Sequence, residues 1–109
     1  AIAIECRTSD AATRSLLAAI AHAPSHAAVM AERALLAALG GNCHSPIAVL
    51  TEAEGADLVM LAALFSPDGA ERIDGKARFA AGDLAAPATL AADLLARAHP
   101  AIAVHFHGP

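Results

Sequence analysis

Residues 46–69 read "PIAVLTEAEGADLVMLAALFSPDG". Isoleucine, valine, leucine and methionine crowd two runs on either side of "AEGA", a pattern that predicts an antiparallel hairpin. "SPDG" then predicts a tight turn. Pro67 suits its second position, Asp68 its third, and Gly69 accepts the conformation that follows. "AERIDGKARFA" after it reads as a third strand, with Ile73 and Phe79 among polar neighbours, as on an edge or one-sided strand. Asp74-Gly75 inside that run predicts a bulge or a second turn.

The flanks have a helical period. "HAAVMAERALLAALG" carries Val29, Met30, Leu35, Leu36 and Leu39 as an apolar stripe, with Glu32 and Arg33 on the wetter side. Ser25 is its expected N-cap and Gly40 its left-handed end. Upstream, "AATRSLLAAIAH" places Leu16, Leu17 and Ile20 on one face behind Ser9 or Asp10 as cap. Pro24 separates the two helices. "AIAIEC" at the start alternates and reads as a short strand. Downstream, "PATLAADLLARA" forms a helix with Pro87 in its first turn and Leu90, Leu94 and Leu95 buried, stopping at His99-Pro100. The tail "AIAVHFHGP" reads as a short strand or a disordered end. The expected fold class is α+β: a small three-stranded antiparallel sheet with helices packed on one face, preceded by a strand-helix segment.

Alanine makes up nearly a third of the 109 residues, while tryptophan and tyrosine are absent. Alanine favours helix but offers little area to bury, so the larger aliphatic side chains must supply the core. A net charge of −4 without a basic cluster argues against nucleic acid as partner. No apolar run reaches the ~18 residues of a membrane span. The apolar start lacks the basic leader of a signal peptide, and two cysteines are too few for a disulfide framework, so a cytoplasmic location is expected.

The residue with chemical potential is Cys43, in "LGGNCHSPIA" (39–48). Residue type alone leaves four roles open. A buried structural thiol is common, but this loop is polar. A nucleophile needs a helix N-terminus or a nearby cation, and Cys43 follows a helix C-terminus. A metal site lacks a second ligand pair, because Cys43 and His44 are adjacent and His105 and His107 lie on an expected exposed tail. The fourth role is an attachment point for a bulky group, which the flanking glycines leave room for.

Four stretches together resemble one family. "AIAIECR", "AERALLAALGGNCHSPIA", "LFSPDGAERIDGKAR" and "AADLLARA" resemble, in order and spacing, the C-terminal third of hydroxymethylbilane synthase, or porphobilinogen deaminase. The resemblance implies an enzyme, a transferase. It condenses four porphobilinogen molecules into hydroxymethylbilane, in tetrapyrrole and heme biosynthesis. The chain grows on a dipyrromethane cofactor joined by a thioether to the loop cysteine, here Cys43. Arg7, at the end of "IECR", matches a family arginine near the carboxylate-binding cleft; a surface ion pair with Glu5 or Asp10 is its alternative. Cys6 is expected in the core, and Arg72, Lys76 and Arg78 on a solvated strand face.

The resemblance also implies what is missing. The family enzyme is about three times longer and places its catalytic aspartate and most cleft arginines upstream of anything matched here. Residues 1–22 then correspond to the end of a preceding domain, and residues 23–109 to the C-terminal domain carrying the attachment cysteine. Partners are porphobilinogen, the growing oligopyrrole and the enzyme's own N-terminal domains. The isolated chain is expected to be inactive and free of dipyrromethane. Two rival readings are a non-catalytic α+β binding or oligomerisation module and a thiol hydrolase.

Overall fold

The computed structural model describes residues 1–109. Strands β1 (Ile47–Glu54), β2 (Asp57–Phe65) and β3 (Arg72–Ala80) form one antiparallel sheet in the order β1-β2-β3. Glu54 pairs with Asp57 across the two-residue Gly55-Ala56 connection, and Gly55 sits at φ 62°. A hairpin this tight needs positive φ at its first central residue, which glycine adopts without strain. The expected "SPDG" turn closes with the Gly69 N–H donating to the Ser66 carbonyl at 2.9 Å. Asp68 ties it further, accepting from the Ser66 hydroxyl at 2.6 Å and the Ala70 N–H at 3.0 Å.

The large side chains of the sheet alternate between its two faces. Leu58, Met60, Ala62 and Leu64 of β2 face one way and are buried. They meet Leu35 and Leu39 of α2 (Ala23–Leu39) and Leu90 and Leu94 of α3 (Ala85–Arg97) in one cluster. Each large aliphatic side chain buried here stabilises the fold by about 1.5–3 kcal/mol. On the other face Leu50 and Leu61 remain 54% and 48% exposed. The helices therefore cover a single face.

Gly75 is neither a bulge nor a turn. It pairs in regular register with Ala62. A Cβ there would lie 2.8 Å from Leu90 Cδ1 and 3.0 Å from Leu94 Cδ2. The missing side chain lets α3 sit directly on β3.

The helix ends follow local chemistry. α1 (Ala11–Ile20) starts at Asp10, whose carboxylate accepts from the Thr13 N–H at 3.0 Å and the Thr13 hydroxyl at 2.7 Å. α2 begins two residues before the expected Ser25 cap. His22 is its N-cap, accepting from the Ser25 N–H at 3.3 Å, and Pro24 lies in the first turn, where its missing N–H leaves no bond unmade. α3 is held by Asp83, whose carboxylate accepts from the Ala85 and Ala86 N–H groups at 3.0 and 3.2 Å.

Two expectations are corrected. "AIAIEC" forms no strand, so the chain opens on an irregular segment and two helices rather than on a strand and a helix. Alternation states a preference for a sheet edge, but the ladder's bonds must come from a neighbouring strand, and neither β1 nor β3 takes this segment as a partner. The tail is neither strand nor disordered end. It turns through α4 (Pro100–Ala103) and buries Ile102 and Phe106 in the core.

Candidate functional site

The Cys43 loop is built from the end of α2. Gly40 takes φ 67°; its N–H donates to the Ala37 carbonyl at 3.1 Å, and the Gly41 N–H donates to the Leu36 carbonyl at 2.9 Å. This pair of bonds is a Schellman motif, satisfying two of the orphan carbonyls at the helix end. Gly41 then passes under two side chains. A Cβ on it would meet Leu36 Cδ1 at 2.6 Å and Ile47 Cδ1 at 3.0 Å.

Residues 42–45 form a turn that bonds to itself. The Asn42 N–H donates to Ser45 Oγ at 2.8 Å, the His44 N–H to Asn42 Oδ1 at 2.8 Å, and the Ser45 N–H to the Asn42 carbonyl at 3.0 Å. Asn and Ser side chains hold such turns by mimicking backbone partners. Cys43 sits within this turn, exposed and free.

Beside Cys43 lies an open cavity of about 310 Å³. Glu32, Arg33 and Leu36 of α2 form one wall, and Ile47 and Val49 of β1 another. Neither Glu32 nor Arg33 enters a salt bridge within the chain. The periodic reading of α2 placed both on its wetter side but gave no sign that they flank the thiol. That adjacency depends on how the loop folds back between α2 and β1.

The surroundings of Cys43 suit attachment better than nucleophilic attack. Its sulfur makes no hydrogen bond to His44 or to any other group, so the chain holds no thiol–base pair of the kind a cysteine hydrolase uses. The C-terminal end of α2 adds partial negative charge rather than positive. No three of the His, Cys, Asp and Glu side chains converge as metal ligands. His105 lines a separate small cavity with His44.

Arg7 is exposed and does not line the Cys43 cavity. It pairs with neither Glu5 nor Asp10. Asp10 is committed to Thr13, whose backbone and hydroxyl bonds hold its carboxyl below the ordinary value of 3.8. Cys6 is half-buried and lies outside the core cluster. Arg72 and Arg78 stand on the outer sheet face, pairing with Asp74 at 2.7 Å and with Glu54 and Asp57. Exposed pairs of this kind contribute little to stability.

The glycine-bounded turn that displays a free thiol lies inside a recognised domain. The family model described as porphobilinogen deaminase, C-terminal domain, matches residues 26–97. The chain belongs to that family. Its relatives include the porphobilinogen deaminases of Sphingopyxis alaskensis, 52% identical over 103 residues, and of Paracoccus denitrificans, 46% identical over 98 residues. These alignments take in 94% and 89% of the chain but 32% and 31% of the relatives. The chain thus spans about a third of the length of the curated relatives it matches.

The dipyrromethane group used by this family can be tested against the residues present. A thioether tether needs an accessible sulfur with space beside it. The exposed Cys43 thiol and the adjoining cavity meet that need. The chain brings few cations to the loop: Arg33 lines the cavity, while Arg72 and Arg78 are paired on the outer sheet face.

Proposed function

We propose that the chain is the cofactor-bearing C-terminal portion of a hydroxymethylbilane synthase, a transferase of tetrapyrrole biosynthesis that condenses four porphobilinogen molecules head to tail. Cys43 is the tether for the dipyrromethane primer. The observation that carries this reading is the free, exposed thiol in a self-bonded turn beside an open cavity. The match to the C-terminal domain supports it. The primer, when bound, supplies an electron-rich pyrrole as the nucleophile. The chain's own residues fix where the sulfur is held: Gly40 and Gly41 end α2 abruptly, and Asn42 and Ser45 close the turn. A thioether carries no charge, so the helix C-terminus imposes no penalty on it.

Residues 23–109 form the C-terminal domain in this reading, and residues 1–22 pack against the preceding part of the same enzyme. In support, α1 buries no side chain, and Ile2, Ile4, Leu16 and Ile20 are all exposed. Ile2, Ile4 and Ile20 line one open cleft with Leu17, and an exposed apolar surface of this kind marks an interaction site. Arg7, at the end of the irregular segment, would then face the substrate cleft, where a guanidinium receives carboxylates bidentately. The two free thiols fit a reducing cytoplasm.

Intact mass spectrometry of the whole enzyme tests the tether. The wild-type protein should carry one dipyrromethane mass on Cys43, and Cys43→Ser should carry none. The isolated chain, without the catalytic aspartate, should also carry none. A primer on another residue of the whole enzyme overturns the tether; a primer on Cys43 of the isolated chain overturns only the expectation that this chain cannot acquire it alone.

A further inference from the structure

The family match ends at residue 97, yet the residues after it are tied to the Cys43 loop. Ile102 and Phe106 are 1% and 6% exposed and belong to the cluster that contains Leu35 and Leu39 of α2. Beyond Phe106 the chain turns back over the end of α2. The Gly108 N–H donates to the Leu39 carbonyl at 3.3 Å. That carbonyl is one of the last four of α2 and has no partner within the helix.

The two strands of chain touch closely. A Cβ on Gly40 would lie 3.3 Å from Gly108 C and N, and would collide with the Gly108 carbonyl oxygen. Gly40 is therefore restricted twice: by its φ of 67°, and by the tail lying across it. Three residues earlier in the tail, His105 faces the other side of the loop. It lines a polar cavity of about 320 Å³ together with Asn42, His44 and Ser45.

We propose that residues 105–109 are a strap that positions the Cys43 turn, with Gly108 as the positioning residue acting through Leu39 and Gly40. The base of the turn is gripped by the Gly108 contact, and its flank is faced by His105. Phe106 anchors the strap in the core. The consequence for primer placement rests on the reading of Cys43 as the tether; the strap itself does not.

The test deletes His107–Pro109, which removes the Gly108 contact and leaves Phe106 in place. Native-state amide exchange is measured by NMR on the chain with and without the deletion. Loss of one partnered carbonyl should speed exchange at Gly40, Gly41 and Ser45 by about tenfold. Amides of β2, the central strand, should be unaffected. Unchanged exchange at Gly40–Ser45 overturns the strap, and so does equal acceleration throughout the chain, which would mean general stabilisation only.

Gly40→Ala supplies a second readout. The substitution collides with Gly108 in the full chain, so its loss of Tm should be smaller once the tail is deleted, the strain of φ 67° remaining in both backgrounds. Equal losses in both backgrounds overturn the contact. Primer occupancy in the whole enzyme separates this inference from the tether. A loosened turn whose Cys43 never carries primer leaves the strap standing and removes the tether. A primed Cys43 in a turn indifferent to the tail does the reverse.

Discussion

Replacing Gly75 with alanine should destabilise the chain, although strand chemistry by itself favours the change. Gly75 has no positive φ, and alanine fits its backbone. Removing a glycine from a strand interior lowers the entropy of the unfolded chain and is worth about 0.4–1 kcal/mol in favour of folding. Against that stands the seam between α3 and β3. The new Cβ would lie 2.8 Å from Leu90 Cδ1, 3.0 Å from Leu94 Cδ2 and 3.4 Å from Leu94 Cγ. Leu94 is 0% exposed and Leu90 7%, so both leucines must shift within the seam between α3 and β3 to admit the methyl group. Forcing a methyl group into a filled core costs about 1–3 kcal/mol. The clash wins, leaving a net loss of about 1–2 kcal/mol. Urea unfolding followed by far-UV circular dichroism should show a lower midpoint with an unchanged m-value, and Tm should fall by roughly 5–10 °C. Leu90→Val removes the nearest methyl, so Gly75→Ala should do less harm in that background. A Gly75→Ala chain as stable as wild type, or a loss indifferent to Leu90→Val, would refute the packing argument.

Thr51 carries the one buried side-chain polar atom without a hydrogen-bond partner, its hydroxyl on the helix-covered face of β1 opposite Met60. Thr51→Val keeps the β-branched shape and removes the unmet hydroxyl; it should raise stability by about 1 kcal/mol, and a lowered urea midpoint would show the hydroxyl to be satisfied. Acid should act through Asp10, Asp68 and Asp93, which are held below 3.8 by bonds from Thr13, from Ser66 and Ala70, and from Arg97 respectively. Their folded values lie below the unfolded one, so their stabilisation is complete above about pH 5 and is lost as pH falls through the folded values. The urea midpoint should drop below about pH 5, and Asp68→Asn should make that drop shallower; a midpoint equally steep in the variant would remove Asp68 from the account.

Much of this fold was legible because its signals are local. The Gly55 connection, the "SPDG" turn and the alternation of β2 each specify a conformation within a few residues, and each appears where the sequence placed it. Asp74-Gly75 misled for the opposite reason. Glycine in a strand reports either an unusual backbone or a close neighbour, and only the position of Leu90 and Leu94, far along the chain, decides between them. "AIAIEC" misled in the same way, because its pattern requests a partner strand that residues 1–109 do not offer.

The site divides along the same line. Cys43, between two glycines and a proline, was visible as a displayed thiol, and the turn bonds of Asn42 and Ser45 follow from residue type. Its surroundings were not visible. Arg33 and Glu32 lie ten and eleven positions upstream and reach the loop only because the Schellman turn folds it back along α2. Gly108 lies 65 positions downstream and reaches the loop only because Phe106 is buried. "AIAVHFHGP" reads as a short strand or a disordered end after a proline stop, and a single phenylalanine has no periodicity to betray it. Yet in a chain with three phenylalanines and neither tryptophan nor tyrosine, burying one gives the core a large apolar area that few other residues can supply. That burial is what turns a terminal stretch into a fixed contact, and the fixed contact falls at Gly40, three residues before the sulfur.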